Sequence, residues 1–119
     1  MKTLIFLDDE RNFEDLNWVN YPEFDDIIIV RNYHEFQFVI DNYFNVNFTI
    51  SFDHDLADMG LFGEKTGKDC ANYLIEHFIE YGLDPNKLRW IVHSQNPIGK
   101  RNIEQLILKY IDFYNGENK

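Results

Sequence analysis

Apolar positions along the chain alternate between two rhythms. Short continuous runs at 3–7, 27–30, 48–52 and 90–92 carry the β-branched and aromatic residues of buried strands. Between them the spacing changes to three and four. Phe36, Val39, Ile40 and Tyr43 form such a stripe, as do Cys70, Tyr73, Leu74, His77 and Phe78, and then Ile103, Leu106, Ile107, Tyr110 and Ile111. Each stripe predicts a helix with one buried face, over 33–44, 69–81 and 98–114. Phe13, Leu16 and Val19 predict a further short helix over 12–20, and Gly82 is a natural terminator for the helix before it. The Gly-bearing stretch 57–67 has little periodicity and reads as a loop.

The resulting order, β-α-β-α-β-α-β-α, implies a parallel sheet covered on both faces and joined by right-handed crossovers. In such sheets ligands bind beyond the carboxyl ends of the strands, where strand order reverses. Polar clusters sit at three of those ends: Asp8-Asp9-Glu10-Arg11, Asp53-His54-Asp55 and His93-Ser94-Gln95-Asn96. Any one of them is ordinary helix-capping chemistry. Three together predict a shared crevice, which requires the order 2-1-3-4 with the first and third strands central. Arg31-Asn32, after the second strand, is less distinctive.

Length and composition agree with one domain spanning 1–119. The chain has 119 residues, 45% hydrophobic and 17% aromatic, ample for a single core. No apolar run approaches the ~20 residues of a membrane helix, and the first apolar run meets Asp8-Asp9 too soon for a signal peptide. A cytoplasmic protein without a membrane partner is therefore expected. The lone Cys70 excludes an intramolecular disulfide framework and a Cys-based zinc finger. The formal charge of −10 arises in the first half: residues 1–58 hold 13 acidic side chains against 3 basic ones. That balance argues against long duplex nucleic acid as a partner.

Several carboxylates in one crevice repel each other, and a divalent cation is the usual remedy. Asp8, Asp9, Asp53 and Asp55 are the expected ligands, and hard oxygen donors point to Mg²⁺ or Mn²⁺. His54 and His93 complicate the choice, because imidazole also suits Mn, Fe and Zn. If the third strand persists, His54 points to the opposite face from Asp53. His34 and His77 lie on helical stripes and read as structural or surface residues.

Asp8-Asp9 after the first strand and Asp53 after the third resemble the acidic pocket of two-component receiver domains, and Ser94 resembles their switch Ser/Thr. The chain departs from that pattern in lacking a fifth strand with its lysine and in carrying Asp55. The combination Leu7-Asp8-Asp9-Glu10-Arg11, Ser51-Phe52-Asp53-His54-Asp55-Leu56, Thr66-Gly67 and His93-Ser94-Gln95-Asn96-Pro97 resembles the cyclic-phosphate processing receiver-like domains. The resemblance implies a flavodoxin-like three-layer sandwich with a four-stranded sheet. It also implies metal-dependent opening of a cyclic phosphate, at an RNA end or in a small nucleotide.

On that reading His93, expected at the crevice rim, is the general acid or base, with Ser94 and Asp53 beside it. Arg11, Lys68, Lys100 and Asn96 are candidate substrate contacts, although Lys100-Arg101, on the first turn of the last helix, better suits a plain solvated face. Asn96-Pro97 also reads as a helix N-cap, with the N–H groups of Ile98 and Gly99 left for an anion. Two other classes stay open. One is a receiver-like module that accepts phosphate on Asp53. The other binds a nucleotide without cleaving it, or serves as an adaptor.

Overall fold

A computed structural model describes residues 2–45, 47–60 and 63–117. Four parallel strands form its main sheet: β1 (Thr3–Leu7), β2 (Asp26–Val30), β3 (Phe48–Phe52) and β6 (Arg89–Val92), in the order β2-β1-β3-β6. This is the expected flavodoxin-like order, with β1 and β3 central. Three helices follow: α1 (Tyr33–Tyr43), α2 (Gly67–Glu80) and α3 (Pro97–Glu117). The register is continuous across the sheet, with Leu7 beside both Val30 and Phe52, and Phe52 beside Val92. β6 is an edge strand; no strand among the described residues pairs with its outer side.

Alternation along the strands divides the core in two. Ile5, Leu7, Ile50, Phe52 and Val92 face Phe36 and Ile40 of α1, Leu74 and Phe78 of α2, and Ile103 and Ile107 of α3. All three helices thus cover one face. Leu4, Phe6 and Ser51 are fully buried on the other face, which no long helix among the described residues covers; where a helical third layer was expected, the irregular segment between β1 and β2 stands instead. Residues 12–20, expected to be helical, contain only a 3₁₀ turn at Phe13–Asp15. The apolar side chains there close an aromatic cluster instead: Phe13 meets Phe6 at 6.2 Å, Tyr21 at 4.8 Å and Phe24 at 5.1 Å between ring centroids. Burying aromatic area from several directions outweighs a helical stripe in a segment rich in asparagine, a weak helix former.

The stretch 57–67 also differs from the expected loop. It holds a small antiparallel hairpin, β4 (Asp58–Gly60) with β5 (Gly63–Lys65), while Leu61 and Phe62 lie outside the described residues. The hairpin is tied to the start of α1, where the backbone N–H of Tyr33 donates to the Asp58 carboxylate at 3.0 Å and Lys65 lies over the Tyr33 ring. Ala57 makes the turn out of β3 with φ +47°, a left-handed conformation that costs an L-residue about 1–2 kcal/mol.

α2 begins two residues earlier than its periodicity suggests. Gly67 donates its N–H to the His54 carbonyl at 2.7 Å, and a Cβ on it would stand 1.7 Å from the Asp53 carbonyl oxygen. Only glycine lets the helix start so close to the strand end. Gly99 plays the same part for α3, where a Cβ would fall 2.3 Å from Cγ of His54. His54 therefore packs under α3 on the helical face, opposite Asp53, as its strand parity requires.

Candidate active site

One step beyond the aligned trio Leu7, Phe52 and Val92, the next residues are Asp8, Asp53 and His93. All three point to the face without helices. One ligand atom from each lies within 4.8 Å of the others. Asp8 and His93 are fully buried and Asp53 nearly so. Above them opens a polar cavity of about 470 Å³, lined by Asp8, Asp9, Arg11, Asp53, Asp55 and Glu64, with Glu10, Ala57, Ser94, Gln95 and Asn96 completing the wall.

Asp8 is held from several sides. Its Oδ1 accepts the backbone N–H groups of Glu10 (2.9 Å) and Arg11 (2.8 Å), and its Oδ2 meets His93 Nε2 at 3.1 Å. Burial alone would raise its pKa, but the bonds from His93, Arg11 and Glu10 prevail and lower it to about 2. Asp53 behaves oppositely. Burial and the neighbouring Asp8 charge raise its pKa against the opposing pull of His93, the His54 N–H and the Ser94 hydroxyl. Asp9 is also raised, by burial and then by Glu10. Asp55 is lowered, chiefly by its 2.9 Å bond with His54 Nδ1, with Asn96 Nδ2 donating to it at 3.1 Å.

The donor set fits a divalent cation. Asp53 and Asp8 place two carboxylates side by side at the cavity floor with too little positive charge to offset them. On Oδ2, Asp8 has one bond from His93 and only a long 3.5 Å contact from Arg11, so the oxygen keeps accepting capacity. Asp9 and Asp55 line the same cavity but stand outside the tight cluster.

Several expected placements are corrected. His93 is not at the rim; it lies beneath the floor, its ring parallel to Phe6 at 4.7 Å, its Nδ1 bonded to Ser51 Oγ at 2.7 Å. The start of α3 offers no free anion site, because Asn96 Oδ1 accepts the N–H groups of Ile98 (3.2 Å) and Gly99 (3.0 Å). Asn96 is a cap that also ties α3 to Asp55. Lys68 lines a separate recess with Asn102, Gln105, Leu106 and Lys109. Lys100 and Arg101 are exposed on α3 and do not line the cavity. Among the described residues Arg11 is the single basic side chain in the wall, with Nη2 donating to Gln95 at 3.2 Å and the guanidinium over Trp18.

Arg31, undistinguished in the sequence, has a defined place at the site. Its strand places it next in the row beside Asp8, and its guanidinium donates to the carbonyls of Asp8 and Arg11 and to Asn12 Oδ1. It clamps the loop that carries the acidic pair. Glu64, delivered by the hairpin, was also unforeseen, because a helix-free loop of unknown path assigns no side chain to the cavity.

A family model described as the cyclic-phosphate processing receiver domain matches residues 3–109. Comparison with curated proteins returns no match, and neither does comparison with solved structures. No helix among the described residues is long and apolar enough to cross a membrane.

Proposed function

The chain belongs to the cyclic-phosphate processing receiver family, and from that premise we propose that its acidic cavity opens a cyclic phosphate with the help of a divalent cation. The observation that carries the reading is the pairing of Asp8 with Asp53 on the floor of a polar cavity whose single basic wall residue, among the described residues, is Arg11. A cavity of about 470 Å³ is of ordinary size for a small ligand. It suits a small cyclic nucleotide or the terminal nucleotide of an RNA.

Asp8 and Asp53 would hold the ion, Mg²⁺ or Mn²⁺, in a cavity that Asp9 and Asp55 also line. Bound there, it would neutralise phosphoryl charge and acidify water at neutral pH. Arg11 is held by one long ion-pair contact, one side-chain hydrogen bond and the Trp18 ring, which leave donors of its guanidinium for a phosphoryl oxygen. The Ser94 hydroxyl, beside Asp53, is a second polar group for the phosphate. In the reaction one water oxygen bonds to phosphorus, one ring P–O bond breaks, and the proton of the water passes to the leaving oxygen. The product is a phosphomonoester.

Phosphorus NMR of the protein with a panel of cyclic phosphates, Mg²⁺ or Mn²⁺ tests this directly. Catalytic, metal-dependent conversion to a monoester is expected, and Asp53→Asn should abolish it. A stoichiometric phosphate on Asp53, or a ligand released unchanged on denaturation, would replace hydrolysis with phosphoacceptance or sequestration.

A further inference from the structure

We propose that half-buried Tyr21 and fully buried Ser51 and His93 form a relay that positions Asp8, with His93 serving as a hydrogen-bond donor to that carboxylate and not as acid, base or metal ligand. The proposal rests on the cation-holding role of Asp8 given above. It begins from the three distances in the chain: Tyr21 Oη to Ser51 Oγ, 2.8 Å; Ser51 Oγ to His93 Nδ1, 2.7 Å; His93 Nε2 to Asp8 Oδ2, 3.1 Å.

With a neutral imidazole, donor accounting gives the chain one direction. An ionised carboxylate only accepts, so Nε2 carries the proton. A neutral imidazole then accepts at Nδ1, which consumes the single hydroxyl proton of Ser51. The Ser51 oxygen is left to accept from Tyr21. Ser51 and His93 are fully buried, and no buried side-chain polar atom among the described residues lacks a partner. Phe6 lies parallel to the imidazole, 7° between planes, which restrains the ring from turning.

The same geometry weighs against the other roles, although a His93 ring nitrogen lies within 4.8 Å of carboxylate oxygens of Asp8 and Asp53. His93 does not line the cavity, so no substrate atom reaches it. To ligate an ion, Nε2 would have to lose the proton it gives to Asp8, and the chain back to Tyr21 would have to reverse. As a donor, His93 instead fixes Oδ2 while the backbone N–H groups of Glu10 and Arg11 fix Oδ1. Partners of this outer kind commonly change metal affinity 10–100-fold when removed. Tyr21 comes from the irregular β1–β2 connection, so that connection is coupled to the site floor.

Imidazole ¹⁵N NMR of the metal-free protein reads the relay without any activity. A proton on Nε2 alone is expected, with the Nδ1 resonance moved by Ser51→Ala and, less, by Tyr21→Phe. A proton on Nδ1, or an unmoved Nδ1 resonance in Ser51→Ala, overturns the relay. Adding Mg²⁺ should leave the Nε2 proton in place; its loss would make His93 a ligand and overturn the donor role. Mn²⁺ binding by EPR then compares two substitutions whose folding is checked by circular dichroism. Gln places an amide nitrogen at the reach of Nε2 and Asn only at that of Nδ1. His93→Asn should bind Mn²⁺ roughly 10–100-fold more weakly, and His93→Gln should recover most of the loss. Equal affinities for the two would overturn the positioning role. Wild-type protein that binds no Mn²⁺ would refute the cation reading instead, leaving the relay to the nitrogen resonances.

Discussion

Asp8 and Asp53 stand beside each other yet respond to acid in opposite ways. Asp53, with a raised pKa, takes up a proton more readily folded than unfolded, so acidification from neutral pH should first add stability. Asp8 does the reverse. Its contribution is complete above its ordinary value of 3.8 and disappears as pH falls toward about 2, a loss of about 2 kcal/mol. Thermal melts of metal-free protein should therefore rise and then fall on acidification. Asp53→Asn should reduce the rise to the share of Asp9, whose pKa is also raised, and should raise the midpoint at neutral pH; a lower midpoint would contradict the charge conflict. Gly67→Ala is the sharpest steric test. Its Cβ would stand 1.7 Å from the Asp53 carbonyl oxygen, and relief by backbone movement should cost about 2–3 kcal/mol in urea titration. At this scale the convergence of the three strand ends was legible, because equal strand ends and side-chain alternation bring Asp8, Asp53 and His93 together, while the depth of His93 beneath the floor was not. Arg31 was not, since an arginine after a strand has the same appearance whether it is solvated or clamped to carbonyls.

Regular elements with a period were readable and the connections were not. β1 and β3 match their apolar runs residue for residue, and α1 and α3 differ from expectation only near their ends. The segment 12–20 carries apolar residues at helical spacing, yet Phe13 spends its ring on Phe6, Tyr21 and Phe24. Periodicity records which residues are buried, not whether a helix buries them. The hairpin failed for a different reason: its strands are three residues each, too short to show alternation. It is attached to Tyr33 through Asp58 and Lys65 and brings Glu64 to the cavity wall. Asn96 illustrates the converse, because its capping role was readable and fixed the start of α3, while the free N–H groups inferred from it are the ones it occupies.

The whole molecule carries a formal charge of −10, and its cavity gathers acidic side chains around one arginine. Binding of a divalent cation to the native state alone should raise stability by about 2.7 kcal/mol at 100 times the dissociation constant. Melts with Mg²⁺, Mn²⁺ and EDTA check this, and identical midpoints in all three would speak against a cation site; Asp53→Asn should respond least. A four-stranded sheet has a further consequence at β6. His93 sends its N–H to the Phe52 carbonyl at 2.9 Å, so alternation turns the amide of Ile91 inward as well and those of Trp90 and Val92 outward. Hydrogen–deuterium exchange should therefore be staggered along one strand. Ile91 and His93 would be among the slowest amides, and Trp90 and Val92 would exchange about tenfold faster or more. If all four exchange slowly together, the outer side of β6 is covered in solution, and the sheet continues into another chain.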